Sequence, residues 1–162
     1  AIDLLAPRGP AKAATRSARE ASEGAVGAYV HMGGKIGVLV EVNCETDFVA
    51  RNEAFQQLVR DIAMHIAAAN PTAVRREEFS PELVERERAV YMEQMKESAK
   101  PEKIWDKIVE GKLDKFYAES ALLEQGFVKN PDQTIAQLIT DVSAKMGENI
   151  VVRRFTRYEL GA

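Results

Sequence analysis

Ile36-Gly37-Val38-Leu39-Val40-Glu41-Val42-Asn43-Cys44 runs straight into Glu45-Thr46-Asp47-Phe48-Val49-Ala50, and this junction organises the rest of the chain. In its first half Ile36, Val38, Val40 and Val42 alternate with Gly37, Leu39, Glu41 and Asn43. A period of two predicts a strand over 35–43. A second strand is expected over 24–31. Met32-Gly33-Gly34 supplies the turn between them, because glycine takes up positive φ without a Cβ clash. Leu39, on the alternate face, implies that this face is not wholly exposed.

Beyond the junction the period changes. Phe55, Leu58, Val59, Ile62 and Ile66 form one stripe of a helix that starts near Asn52 and ends at Asn70-Pro71. Ser80-Pro81-Glu82 is a strong helix start, with a Ser N-cap, Pro in the first turn and an acid at the positive end of the dipole. That helix is expected to reach about Ala99. Pro101 opens another, carrying Ile104 and Ile108, which Gly111 is expected to stop. Lys112 to Leu122 reads as a further helix, and Gln125 to Pro131 as a connector. Thr134 caps a last helix holding Ile135, Leu138, Ile139, Val142 and Met146, and Gly147 stands at the left-handed C-cap position. Asn149 to Leu160, rich in Val, Phe and Tyr, reads as a strand. The fold class is therefore α+β: a three-stranded antiparallel sheet, hairpin plus C-terminal strand, packed with several helices.

Composition narrows the function. The chain has 162 residues, 29% charged and 46% hydrophobic, with a net charge of −3. This is ordinary for a globular protein and does not favour nonspecific nucleic-acid binding. No apolar run approaches a membrane span. The single cysteine, Cys44, rules out an intramolecular disulfide and argues for a reducing compartment. Ala1 to Leu5 reads as the end of a helix whose start is missing, broken by Pro7, Gly9 and Pro10; with no initiator Met this suggests a trimmed chain. Residues 12–22 are polar and alanine-rich, as in a linker helix. Residues 1–22 thus form a module remnant plus linker, and 23–162 the core domain.

Catalytic motifs are not in evidence. His31 and His65 form no metal-binding pair, and Gly33-Gly34-Lys35-Ile36 lacks the spacing and hydroxyl of a phosphate-binding loop. No cofactor, metal or nucleotide site is expected. Two alternatives remain. Cys44 could serve as a nucleophile, against the more common role of a buried thiol. Arg153, Arg154 and Arg157 could form an RNA-binding strand, with Arg153 and Arg157 on one face, against the simpler reading of ion pairs at a sheet edge.

The stretch Gly37 to Ala50 resembles the signature of the elongation factor Ts family. Ala11 to Ala14, Glu23-Gly24, Ala63-Met64-His65, Ser80 to Arg88, Val109-Glu110-Gly111, Leu122 to Gln125 and Met146 to Arg154 extend the resemblance in order along the chain. The lengths are similar to those of short bacterial and organellar members, which lack a second sheet lobe and an inserted coiled coil. The family's N-terminal Thr-Gly-Ala-Gly-Met-Met motif is absent here, which implies weaker binding than a full chain gives. The resemblance implies a guanine-nucleotide exchange factor, not an enzyme, with elongation factor Tu as partner. Direct nucleic-acid or membrane binding is not implied. The implied location is the bacterial cytoplasm, with an organelle matrix or stroma as the alternative.

The resemblance also implies the site. Thr46, Asp47, Phe48 and Val49 would reach the GTP-binding domain of Tu, with Phe48 as a wedge and Asp47 fixing it. Met146 and Gly147 would contact the same domain, and His31, at a hairpin similar to that of the second lobe, another. The bland reading of Phe48 is core: it lies seven residues before Phe55, so an unbroken helix would bury both. A new N-cap at Asn52 would break that helix. A homodimer meeting through the sheet is expected. Helices of one small lobe cover one face, yet Leu39 opposes Val38 and Val40, and Val151 and Phe155 oppose Val152 and Tyr158.

Overall fold

The computed structural model describes residues 15–162. The expectations for residues 1–14 lie outside the described residues. Thr15 to Ser17 are helical. Strands β1 (Glu23–Val30) and β2 (Ile36–Cys44) form the expected hairpin. The four-residue helix α1 (Asp47–Ala50) follows, then α2 (Glu53–Ala69). Next come α3 (Pro81–Lys96) and α4 (Trp105–Ser120). A small antiparallel pair, β3 (Gly126–Phe127) and β4 (Asn130–Thr134), leads to α5 (Ile135–Met146) and β5 (Val151–Glu159). The main sheet is three-stranded and antiparallel in the order β1-β2-β5, so the α+β class holds.

The described chain divides into two compact units. One comprises residues through Asn70 together with Gly126–Ala162; the other is Pro71–Gln125. In the first, α2 covers one face of the sheet. Val38, Val40 and Val42 point into it and are buried, as are Phe55, Leu58, Val59, Ile62 and Ile66 of α2. Ile135 and Ile139 of α5, with Ile150 and Val152, complete this core. His65 is fully buried; its Nδ1 accepts from the Val128 amide at 3.2 Å and its ring tilts against Phe127, so it holds the small hairpin to α2. In the second unit Met95, Val109 and Leu113 are buried between α3 and α4, with Val84, Tyr91, Trp105 and Tyr117 around them. Arg76 lies over the Tyr117 ring at 4.5 Å and its guanidinium donates twice to Glu124, at 2.6 and 2.8 Å.

The caps follow local chemistry. Asn52 accepts from Ala54 N, Ser80 from Leu83 N, and Thr134 forms a reciprocal capping box with Gln137. Asn70 and Gly147 end α2 and α5 at φ 47° and 69°.

Three expectations need correction. Gly111 does not stop a helix: α4 runs through it to Ser120. A glycine inside a helix costs only about 1 kcal/mol, and Val109 and Leu113, four residues apart on the buried side, offset it. The expected connector at 125–131 holds β3 and the start of β4, which pair as a hairpin. The third concerns β5. The register shifts between Glu41↔Arg154 and Val42↔Val152, so Arg153 is an extra, bulged residue. A bulge resets the side-chain alternation. Val152 and Phe155, expected on opposite faces, therefore pair with Val42 and Val40 on the helix-covered face. Arg153 and Arg157 likewise part company. Arg157 turns inward and donates to the Ala67 carbonyl, while Arg153 comes within 3.9 Å of Glu41 on the open face.

Close packing of β1 on α2 depends on Gly27, where a Cβ would stand 2.3 Å from Val59 Cγ1. Valine on a helix has essentially one rotamer and cannot step aside. Gly27→Ala is expected to destabilise the fold by about 1–3 kcal/mol in denaturant unfolding; an unchanged midpoint would mean that α2 shifts freely.

Candidate functional site

The β2–α1 corner carries its large apolar side chain outward. Thr46 is the N-cap of α1, its Oγ1 accepting from Val49 N at 3.3 Å. The helix lasts four residues because Arg51 and Asn52 leave it and Asn52 caps α2 afresh. This break separates two phenylalanines that an unbroken helix would align: Phe55 is wholly buried and Phe48 is 78% exposed. The core reading of Phe48 is thereby excluded. Val49 and Ala50, on the other side of the same turn, are buried and anchor it. Asp47 is exposed and its carboxylate pairs with Arg51 at 2.9 Å, one turn on. Phe48, Arg51 and Asn52 line a shallow open depression.

The α5–β5 corner lies against this turn. One oxygen of Glu148 accepts from the amides of Glu45 and Thr46, each at 3.1 Å, and the other from the Thr46 hydroxyl at 2.7 Å. Asn149 N donates to the Glu45 carboxylate at 2.6 Å. Arg19 bridges from the N-terminal side, donating to the Gly147 carbonyl at 3.3 Å and to Glu45 at 3.5 Å. Thr46, at the start of the Thr46–Val49 turn, and the corner that Met146-Gly147 opens, far apart in sequence, are thus tied together through Glu148, Asn149 and Arg19. Met146 is half-buried and Gly147 is exposed.

His31 is not part of this cluster. It sits at the opposite end of the hairpin, where its Nδ1 and the Tyr29 hydroxyl are 3.0 Å apart. The eight strand steps from Ile36 to Cys44 separate the two places by roughly 25 Å. Sequence reasoning missed Glu148, Glu45, Arg51 and Arg19. Glu45 and Glu148 lie inside stretches that carry the resemblance, Gly37 to Ala50 and Met146 to Arg154, but their partners stand 103 and 104 residues away along the chain, beyond any local signal.

Cys44 has no exposed surface, and its Sγ donates to the Thr46 carbonyl at 3.2 Å. Burial, then the nearby Glu148 carboxylate, push its pKa up to about 11. A thiolate nucleophile is therefore disfavoured at neutral pH. The folded thiol holds its proton more tightly than the unfolded one. The unfolded thiol therefore ionises first, and stability unaffected by the thiol below about pH 9 falls, by roughly 2–3 kcal/mol, as pH rises to about 11. The loss of stability over that window is expected to be smaller in Cys44→Ser than in the parent chain when melts are compared; equal slopes would show that the thiol does not contribute.

The three arginines of β5 each have a carboxylate: Arg153 and Arg154 share Glu41, and Arg157 pairs with Glu159 at 2.8 Å. This is the ion-pair reading, not a stripe of uncommitted cations. Among the described residues no cluster of His, Cys, Asp and Glu fits a metal, and no helix is long and apolar enough to cross a membrane.

The family model described as Elongation factor TS matches residues 12–162. Elongation factor Ts of Geobacter sulfurreducens is 58% identical over 161 residues, covering 99% of this chain and 74% of the relative. That of Geobacter metallireducens is 59% identical with the same coverage. That of Syntrophobacter fumaroxidans is 52% identical over 162 residues, covering 100% of this chain and 81% of the relative. The match spans the β2–α1 corner, the α5–β5 corner and both compact units, and the chain belongs to the elongation factor Ts family.

Proposed function

We propose that this chain binds elongation factor Tu and speeds release of its GDP through the Thr46–Val49 turn and the adjoining Met146-Gly147 corner. The observation that carries this reading is the 78% exposure of Phe48 on a turn whose neighbours Val49 and Ala50 are buried. An exposed aromatic ring held on an anchored turn has the apolar area and low ordering cost that suit an interface anchor. A GTPase holds its nucleotide through a phosphate loop and Mg²⁺. A factor releases nucleotide when it binds more tightly the state in which that site is disturbed. Phe48 enters between elements of Tu as the wedge, and Asp47 fixes the approach. Each tenfold weakening of nucleotide corresponds to about 1.4 kcal/mol of coupling. The chain itself performs no bond chemistry and needs no cofactor. Its place of action is the bacterial cytoplasm, where translation runs. Release of labelled GDP from purified Tu, with and without the chain, tests the reading; no acceleration would refute it.

Asp47 separates a contact role from a structural one. Its pair with Arg51 is exposed on both sides, so it adds little to stability. Asp47→Ala is expected to slow stimulated release several-fold while shifting unfolding by less than about 1 kcal/mol. Unchanged kinetics with a slightly lower melting temperature would assign Asp47 to the helix dipole alone.

The second copy of the chain belongs to this reading. The face of the sheet away from α2 presents Val26, Val30, Leu39 and Tyr158, all more than half exposed, around the Glu41–Arg154 pair. Sheet-on-sheet packing in a two-fold homodimer would cover it. In that arrangement His31 of the second copy joins the Tu-binding surface, which a single chain leaves roughly 25 Å from Phe48.

A further inference from the structure

We infer that Glu148 is a positioning residue for nucleotide exchange: its carboxylate fixes the Thr46–Val49 turn in the conformation that presents Phe48. The inference rests on the reading of that turn as the Tu contact. The geometry is specific. Two successive amides, of Glu45 and Thr46, converge on Oε1 at 3.1 Å, and the Thr46 hydroxyl donates to Oε2 at 2.7 Å. The same hydroxyl oxygen accepts from Val49 N, so Thr46 relays the carboxylate's hold into the first turn of α1. Glu148 is itself fastened. Its carbonyl accepts from Ser143 Oγ at 2.6 Å, and Gly147 before it turns the chain at φ 69°. The turn is thus tied to the end of α5 and not only to its own strand. A four-residue helix has too few internal bonds to hold a shape alone. Charge-assisted bonds to a carboxylate are the strong kind. Glu148 stays behind the turn while Phe48 points to solvent, so its effect on a partner passes through the ring it places.

Three measurements test this. The first is amide hydrogen exchange at Thr46 and Val49 in the free chain. Glu148→Ala removes the acceptor of both the Thr46 amide and the Thr46 hydroxyl, and the Thr46 and Val49 amides are expected to exchange faster, with a smaller effect for Glu148→Gln, which keeps one acceptor oxygen; unchanged protection in Glu148→Ala overturns the proposal. The second is stimulated GDP release from Tu. Glu148→Ala is expected to lower the maximal rate about tenfold, and Glu148→Gln less, with both chains still folded at the assay temperature. A maximal rate equal to that of the parent in both variants overturns it. The third is a cycle with Phe48→Ala. In that background Glu148→Ala is expected to add little, because the ring it places is gone. Full additivity would mean that Glu148 acts elsewhere. If Phe48→Ala alone leaves exchange intact, the site reading itself falls. A strong Phe48 effect with a silent Glu148 removes the present inference only.

Discussion

Phe48→Ala is expected to cut stimulated GDP release from Tu by about 10–100-fold while leaving the fold essentially as stable as before. The two halves of this expectation come from different observations. Stability is indifferent because the ring is 78% exposed and its neighbours Val49 and Ala50 hold the turn. A surface substitution of this kind shifts unfolding by about 0.5 kcal/mol or less, against about 3–5 kcal/mol for a core Phe→Ala. Phe55, wholly buried only seven residues on, is the internal control: Phe55→Ala should show the core penalty. Exchange is sensitive because a wedge works through shape and area, and alanine supplies neither. Stopped-flow release of labelled GDP at saturating chain, paired with a thermal melt, reads both quantities. Normal release would refute the wedge. A large fall in melting temperature would show that the ring is packed in solution.

The second large effect concerns assembly. At micromolar concentration under reducing conditions the parent chain is expected to sediment as a dimer, and Leu39→Glu as a folded monomer. Leu39 is 51% exposed on the open sheet face, so a carboxylate there costs the single chain little. In a two-fold interface it would bury two unpaired charges, each beside Glu41 on the same face of β2. The dimer is expected to weaken at least ~100-fold, a difference of about 2.7 kcal/mol. A parent chain that sediments as a well-folded monomer would remove both the interface and the composite surface with His31. A dimer that persists in Leu39→Glu would place the contact elsewhere. Because buried Cys44 is inaccessible to a second chain, the presence or absence of reductant should make no difference.

Much of the architecture was legible because its signals are local. Helix starts at Asn52, Ser80 and Thr134 depend on a side chain bonding to an amide two or three residues away, and the helix ends at Asn70 and Gly147 on one residue's tolerance of positive φ. The alternation of β2 named its buried face, Val38, Val40 and Val42, before any partner strand was known. Gly111 misled for the complementary reason. Its intrinsic tendency to end a helix is weak, and packing of Val109 and Leu113 outweighs it.

Spacing within a few turns of chain carried the α+β class, the hairpin and most helix boundaries, and motifs in order along the chain carried the family; Thr46 to Val49 are contact candidates only through that resemblance. The fold in three dimensions settled that Phe48 faces water, how the faces of β5 are sorted, and which distant corners meet. The bulge at Arg153 depends on how β5 pairs with β2, and it sends Arg157 inward and aligns Val152 with Phe155. The grip of Glu148 on Thr46 joins residues 102 apart along the chain. No local periodicity encodes such a contact. It exists because α5 and β5 return the chain to the end of β2, where two amides at the start of a very short helix need an acceptor and a carboxylate is there to meet them.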